Sequence, residues 1–374
     1  MSTPDLVIVG AGVVGAVTAD LLTRKGMRVL VIEAAFAGAG STGAAMGHLV
    51  VMDDTLAQLR LCHLSRIRWT ALLKELAPTA EPDQCGTLWL AANDEEMQAA
   101  ARKVTAFRAE GIRSELLDPA QLREAEPSLR DGLAGALRVP DDFVCYPPAV
   151  ARILLERAVQ GGATVHRGKA VALEAGAVLL ANGDRVRGET IVVAAGATSA
   201  ALVPGLPVLP RKGHLCITDR VPTKVHHQLV ELGYLHSAHT LGGASVAFNV
   251  QPRRTGQVLI GSSRELVGFN DSINRPLVSR MLQRAAAFVP TLARAPLSRT
   301  WVGFRPATPD ALPLIGRWPQ LERTWIATGH EGLGITMAPV TAELIAADIS
   351  GTPPPLDPYP YRPDRPMPAQ EHAA

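Results

Sequence analysis

Leu6-Val7-Ile8-Val9-Gly10-Ala11-Gly12-Val13-Val14-Gly15 opens into a helical run ending at Lys25, and Arg28-Val29-Leu30-Val31-Ile32-Glu33 follows after Gly26. The order is buried strand, glycine turn, helix, strand and acid, which is a complete βαβ unit. Each part has a physical reason. Gly10 permits a tight turn out of the strand, Gly12 lets a pyrophosphate approach the backbone, and Gly15 lets the helix pack on the sheet. The free N–H groups and dipole of the helix start attract phosphate. A carboxylate at Glu33 accepts hydrogen bonds from two ribose hydroxyls. An acid there argues against a 2′-phosphate on the ribose.

Around this unit lie 374 residues, enough for two or three domains, with 47% hydrophobic content and a formal charge of +2. That charge makes no case for nucleic acid. Cys62, Cys85, Cys145 and Cys216 are scattered without a CxxC pair, so the sequence points to no zinc or iron–sulfur site and no metal ligand. The chain reads as reduced and cytoplasmic. The first strand leaves no room for a signal peptide before it, and Leu6 to Val17 is too short and glycine-broken to span a membrane. The stretch after Gly351 is rich in proline and reads as extended or disordered.

Downstream of Glu33, Gly38-Ala39-Gly40-Ser41-Thr42-Gly43-Ala44-Ala45-Met46-Gly47-His48 is built of small residues that let backbone approach a flat ligand. Asp53 or Asp54 then caps a helix over Thr55 to Leu76, with Leu56, Leu59, Leu64, Ile67, Leu72 and Leu76 as its apolar stripe. Helices are also predicted over Glu95 to Ala109 and over Ala149 to Gly161, the latter started by Pro147-Pro148. Asn182-Gly183 reads as a hairpin turn. Thr190-Ile191-Val192-Val193-Ala194-Ala195-Gly196 is a fully apolar strand that returns to the sheet, bringing Ala195 and Gly196 near the nucleotide.

From Val208 to Thr300 the pattern changes to alternating strands, including Gly213 to Thr218, Ser245 to Val250 and Gln257 to Gly261, with a helix over Leu277 to Phe288. This is the makings of a second domain. The strand pattern then leads through Gly303-Phe304-Arg305-Pro306 and Thr324 to Gly329 into His330-Glu331-Gly332-Leu333-Gly334-Ile335-Thr336 and a helix to about Ile349. Strand, glycine turn and helix recur, so a second helix start can face an anion.

These pieces, from Asp5 to about Ser350, resemble the D-amino-acid oxidase and glycine oxidase superfamily of FAD enzymes. The resemblance implies an α/β plus α+β fold: a Rossmann-like FAD-binding domain of the glutathione-reductase type with an inserted antiparallel substrate domain. The expected division is 1–78, 141–207 and 300–351 for FAD, 79–140 and 208–299 for substrate, and 352–374 as a proline-rich tail. It implies noncovalent FAD held by Gly10, Gly12, Val14, Gly15, Glu33, Ser41, Thr42, Ala45, Gly47, Val171, Ala195, Gly196, Gly303, Gly329, Gly332, Leu333, Gly334, Ile335 and Thr336. By the same resemblance Arg305, in a Gly-x-Arg-Pro motif, clamps the substrate carboxylate. With the amine bound neutral, the α-hydrogen would pass to flavin N5 as hydride, a step that needs no strong base. Asp310 either partners Arg305 or caps a turn.

Two departures refine the expectation. Asn249 stands where glycine oxidases carry a tyrosine, three residues before Pro252. The run Gly-His-Glu-Gly-Leu-Gly and the His48 segment are closer to the flavin subunits of heteromeric dehydrogenases, namely opine oxidase, D-hydroxyproline dehydrogenase and hydrogen cyanide synthase. Those subunits work beside partner chains that carry iron–sulfur clusters. His48 and Glu331 either line the substrate pocket or serve structure and interface. The function expected is oxidation of a small amino or imino acid, most specifically D-hydroxyproline or D-proline, in the cytoplasm or at the periphery of the inner membrane. A free-standing oxidase using oxygen, an opine oxidase subunit and a non-catalytic flavin protein are the alternatives.

Overall fold

A computed structural model describes residues 3–52, 54–222, 224–233 and 244–368. The chain divides into two compact units: one takes the chain up to Ala80, then Tyr146–Arg211, then Phe304 onward, and the other takes Glu81–Cys145 and Lys212–Gly303.

The first unit is built on six strands: β1 (Leu6–Val9), β2 (Val29–Glu33), β3 (Thr164–Arg167), β4 (Thr190–Val193), β5 (Leu314–Arg317) and β6 (Thr324–Thr328). Their order across the sheet is β5-β6-β4-β1-β2-β3, parallel except for the antiparallel pair β5 and β6. All four residues of β1 are buried, as a strand covered on both faces requires. Helices α1 (Val13–Arg24), α2 (Leu56–Leu72), α3 (Pro147–Gln160) and α4 (Gly334–Ser350) belong to this unit, with α1 packed on α3 and α4 and α2 packed on α4. Val9 pairs with Val193, and Val193 with Ile326, so the C-terminal ends of β1, β4 and β6 stand side by side. In open α/β sheets, ligands bind at such carboxyl ends.

The second unit contributes most of an eight-stranded sheet. In it Ser245–Pro252 pairs antiparallel with Val258–Arg264, as the sequence predicts. Gln228–Glu231, absent from the sequence reading, pairs in parallel with Thr87–Ala91. These two strands come from the two separate chain segments of the unit, so no tight hairpin imposes antiparallel pairing. Helix Arg275–Phe288 covers the sheet, with the Phe288 ring stacked on Phe248 at 4.3 Å between centroids.

Three expectations are corrected. Thr55, whose side chain accepts from Gln58 N–H, caps α2; Asp54 does not, and Asp53 lies outside the described residues. The predicted stripe is also rotated. Leu56 and Ile67 are 53% and 46% exposed, while Leu59, Cys62, Ser65, Arg66 and Trp69 are buried. The reason is that this face meets α4, where polar partners are available: Trp69 Nε1 donates to the carbonyls of Ile335 and Thr336 at 2.9 and 3.0 Å. Hydrophobicity alone does not reveal a face satisfied by hydrogen bonds.

The proline-rich stretch, through residue 368, is docked on the first unit. Gly351 ends α4 at φ +65°, Tyr361 is buried with its hydroxyl donating to Ala57 O at 2.7 Å, and Met367 packs against the core beside β1 and β4. Proline restricts φ, but the residues between the prolines decide burial.

Candidate active site

The opening turn is closed by backbone. Gly10 has φ +107°, and a Cβ there would fall 2.6 Å from Ala194 O. A Cβ on Gly15 would fall 1.9 Å from Gly10 O, so only glycine lets α1 begin against this turn. Gly12 precedes α1 without a side-chain cap, no acid occupies the first turn, and Val14 is half-buried there. Thr42 Oγ1 accepts from Val13 N–H at 3.0 Å. Glu33, at the end of β2, accepts from Ala11 N–H at 2.7 Å and Ala35 N–H at 2.8 Å, so its carboxylate is fixed beside the glycines.

The small-residue segment ties the strand ends together. Gly38 N–H donates to Ala11 O, and a short helical turn, Gly40–Gly43, carries Ser41 and Thr42. Ser41 Oγ donates to Phe304 O, and a Cβ on Gly196 would lie 3.8 Å from the same hydroxyl. Gly196 O in turn accepts from Thr328 Oγ1 at 3.0 Å, linking the ends of β4 and β6. Ala195 precedes the short turn Gly196–Thr198. Ala45 N–H donates to Thr42 O, and Gly47 has φ +102°. Thr336 Oγ1 donates to His48 O at 3.0 Å and accepts from Val50 N–H at 3.2 Å, joining the His48 segment to the start of α4.

The second turn is closed largely by side chains. Gly329 has φ +80°, with Thr308 Cγ2 2.7 Å from where its Cβ would be. His330 is buried, its Nε2 is 2.9 Å from Thr341 Oγ1, and burial holds its pKa down at about 3. Glu331 adopts φ +49°, uncommon for a residue with a side chain, donates its N–H to Pro306 O, and pairs with Arg211 at 3.3 Å. A Cβ on Gly332 would lie 3.6 Å from Arg305 Nε and 3.7 Å from Arg305 Cδ, so the arginine stem runs along a residue with no side chain. Leu333 precedes α4 without a side-chain cap, Gly334 and Ile335 begin the helix, and its first turn holds no acid.

Within one unit the contacts join Gly10 with Gly15, Glu33 with Ala11, Thr42 with Val13, Ser41 with Phe304, Gly196 with Thr328, Thr336 with His48, Glu331 with Pro306 and Arg305 with Gly332. Asn249 and Gly303 stand on strands of the second unit, where Asn249 Oδ1 is buried and makes no hydrogen bond among the described residues. Val171 stands 45% exposed on strand Ala170–Glu174. Asp310 caps a turn by accepting from Leu312 N–H at 3.1 Å, and its carboxylate takes Arg365. Sequence reasoning missed Arg211 and Trp69. Neither has a local signal, since each matters through a partner more than a hundred residues away.

These residues fit a dinucleotide that carries a flat redox ring. Two helix starts without acids, whose N-cap residues supply no side-chain cap, suit anionic groups, a fixed carboxylate suits a ribose, and the crowded glycines keep side chains out of the turns. The fold and site define a nucleotide-dependent oxidoreductase. More narrowly, the chain belongs to the FAD dependent oxidoreductase family, whose model matches residues 5–348, and FAD is its cofactor. A glycine oxidase from Geobacillus kaustophilus is 30% identical over 91% of this chain and 92% of its own length. The crystal structure of glycine oxidase from that organism superposes with a TM-score of 0.87 at 26% identity, over 98% of this chain and 100% of the other. The hydrogen cyanide synthase subunit HcnC of Pseudomonas aeruginosa is 28% identical over 96% of this chain and 95% of its own. Among the described residues no helix is long and apolar enough to cross a membrane.

Proposed function

We propose that this chain is the flavin subunit of an assembly that oxidises the C–N bond of a small amino or imino acid, with D-hydroxyproline or D-proline as substrate and a cyclic imine as product. In this reading the first unit serves FAD and also carries the clamp, Arg305, and the second is the substrate domain. The observation that carries the reading is Arg305 lying along Gly332, at the turn that follows β6. A planar guanidinium there takes a carboxylate through two parallel charge-assisted bonds and so fixes the α-carbon.

FAD, when bound, supplies the hydride acceptor. The chain itself binds, orients and holds charge. Gly10, Gly12, Val14 and Gly15 would hold the diphosphate at the α1 start, Glu33 would hold the ribose, and the start of α4 would face the ring and favour negative charge there, with no covalent link. Glu331, oriented by Arg211, takes the imino nitrogen or a ring hydroxyl, and His48 lines the same pocket. Partner chains carry the electrons onward, a role supported by the relative named as a subunit. The setting is the cytoplasm or the inner-membrane periphery. A free-standing oxidase is the second reading, favoured by the identity to glycine oxidase.

Native isolation tests the assembly: co-purifying chains with their own redox centres are expected, and a lone chain that reduces oxygen at full rate favours the second reading. Anaerobic titration with D-amino, L-amino and N-alkyl acids reads the substrate from bleaching of the flavin. In Arg305→Ala, loss of two charge-assisted bonds, roughly 1.5–3 kcal/mol each, raises KM about 100-fold or more while the yellow colour stays. An unchanged KM sinks the clamp.

A further inference from the structure

We infer that the C-terminal strap, residues 352–368, positions the substrate clamp through Arg365 and Asp310, which makes Arg365 a positioning residue of the candidate active site. The inference rests on the reading of Arg305 as the carboxylate clamp.

Arg365 uses every N–H of its guanidinium. Nε donates to Asp310 Oδ2 at 2.7 Å and Nη2 to Asp310 Oδ1 at 2.9 Å, a two-pronged pair. Nη2 also donates to Leu312 O at 2.8 Å, and Nη1 donates to Pro313 O at 2.9 Å and Arg362 O at 3.0 Å. The side chain is only 6% exposed. A tail lying loosely on a surface has no use for a fully saturated, buried guanidinium. What these bonds hold is the turn 308–313, which Thr308 Oγ1 further closes by donating to Leu312 O at 2.8 Å.

That turn follows the clamp in the chain and packs against Gly329 of the second glycine turn. Arg305 stands just before it in the chain. On its other side, Thr308 Cγ2 and Leu314 N crowd Gly329 at 2.7 and 3.2 Å from an added Cβ. Leu314 pairs with Thr328, and Glu331 N–H reaches Pro306 O at 2.9 Å. Motion of the turn is therefore coupled to Arg305 through the chain and to the second glycine turn through Gly329. The strap is anchored apart from the turn by Tyr361 on Ala57, and Met367 packs against the core cluster, so it can hold the turn against a fixed frame. A side chain aimed at a reacting centre tolerates little displacement: about 1 Å can cost on the order of 100-fold.

The test uses the holoprotein with Arg365→Ala, Arg365→Lys and Asp310→Asn. Pyrrole-2-carboxylate, a planar carboxylate analogue of proline, is titrated against the flavin absorbance, and amide hydrogen exchange is read in parallel. Arg365→Ala keeps its flavin, binds the probe roughly tenfold more weakly, and exchanges the amides of Leu312, Leu314 and Glu331 at least about tenfold faster, while Gly10 is unchanged. Lysine, a point charge that cannot fill the fork, falls between wild type and alanine. Should alanine fail to fold, the lysine and Asp310→Asn variants carry the same comparison at smaller amplitude. Unchanged exchange at Glu331 overturns the proposal whatever the ligand result. Loss of flavin with faster exchange at Gly10 also overturns it, since the strap would then serve the nucleotide turn. If Arg305→Ala leaves probe affinity intact, the clamp reading fails. If Arg305→Ala weakens the probe and Arg365→Ala does not, the strap alone fails.

Discussion

The two glycine turns of the first unit look alike in sequence and are held in different ways. At the first, the atoms that crowd Gly10 and Gly15 are backbone: Ala194 O and Gly10 O. At the second, Gly329 meets the Thr308 side chain as well as Leu314 N, Gly332 meets the Arg305 side chain, and Glu331 occupies a left-handed position despite its Cβ. A turn closed by main chain is nearly the same for any sequence that forms it. A turn closed by side chains is set by whatever distant segments supply them. In the proposed reading the first turn is the general nucleotide device, and the second is where this chain's own specificity would be set.

Substitutions can break that contrast. Gly15→Ala is expected to have the largest effect, because a 1.9 Å approach to Gly10 O leaves no room and the blocking atom is backbone. The expected cost exceeds about 4 kcal/mol, read as protein that takes up no flavin. A yellow, folded Gly15→Ala protein would remove the claimed rigidity of the first turn.

Gly329→Ala should cost less, about 2–3 kcal/mol, from the left-handed backbone and the Thr308 contact, and should keep the flavin. By comparison, Gly332→Ala meets Arg305 at ordinary contact distance, so stability should stay within roughly 0.5 kcal/mol while KM rises a few-fold. Equal melting temperatures for these two variants would mean that crowding does not separate the positions.

His330 sharpens the comparison through pH. Its folded pKa lies at about 3, below the ordinary 6.5, because burial opposes the charge. The unfolded chain therefore binds the proton first, and stability present above pH 6.5 is lost as pH falls toward the folded value. Between pH 6.5 and 5 the loss is about 2 kcal/mol, which His330→Gln should abolish in parallel melts. Identical pH slopes in the two proteins would show that this buried ring does not govern the acid response.

Legibility in the sequence followed the same division. The βαβ unit, the apolar strand at Thr190 and the second turn could all be read, because period, glycine and apolar runs are local. The buried face of α2 could not, because Ser65, Arg66 and Trp69 are polar or mixed and are satisfied by another helix. Asp310 was legible only as either a partner of Arg305 or a turn cap, and its ion pair with Arg365 was not legible, since Arg365 lies in a stretch whose prolines suggest looseness.

The amino-acid sequence by itself determined the opening glycine turn, most of the strands and helices of the first unit, and the family, because backbone sterics at glycine and the burial of apolar runs act between near neighbours. Tertiary structure alone decided that Arg305 runs along Gly332, that Arg211 holds Glu331, and that Arg365 of the C-terminal stretch pairs with Asp310. Those contacts join side chains remote in the chain, and their energy depends on distance and direction, which no local pattern of residues encodes.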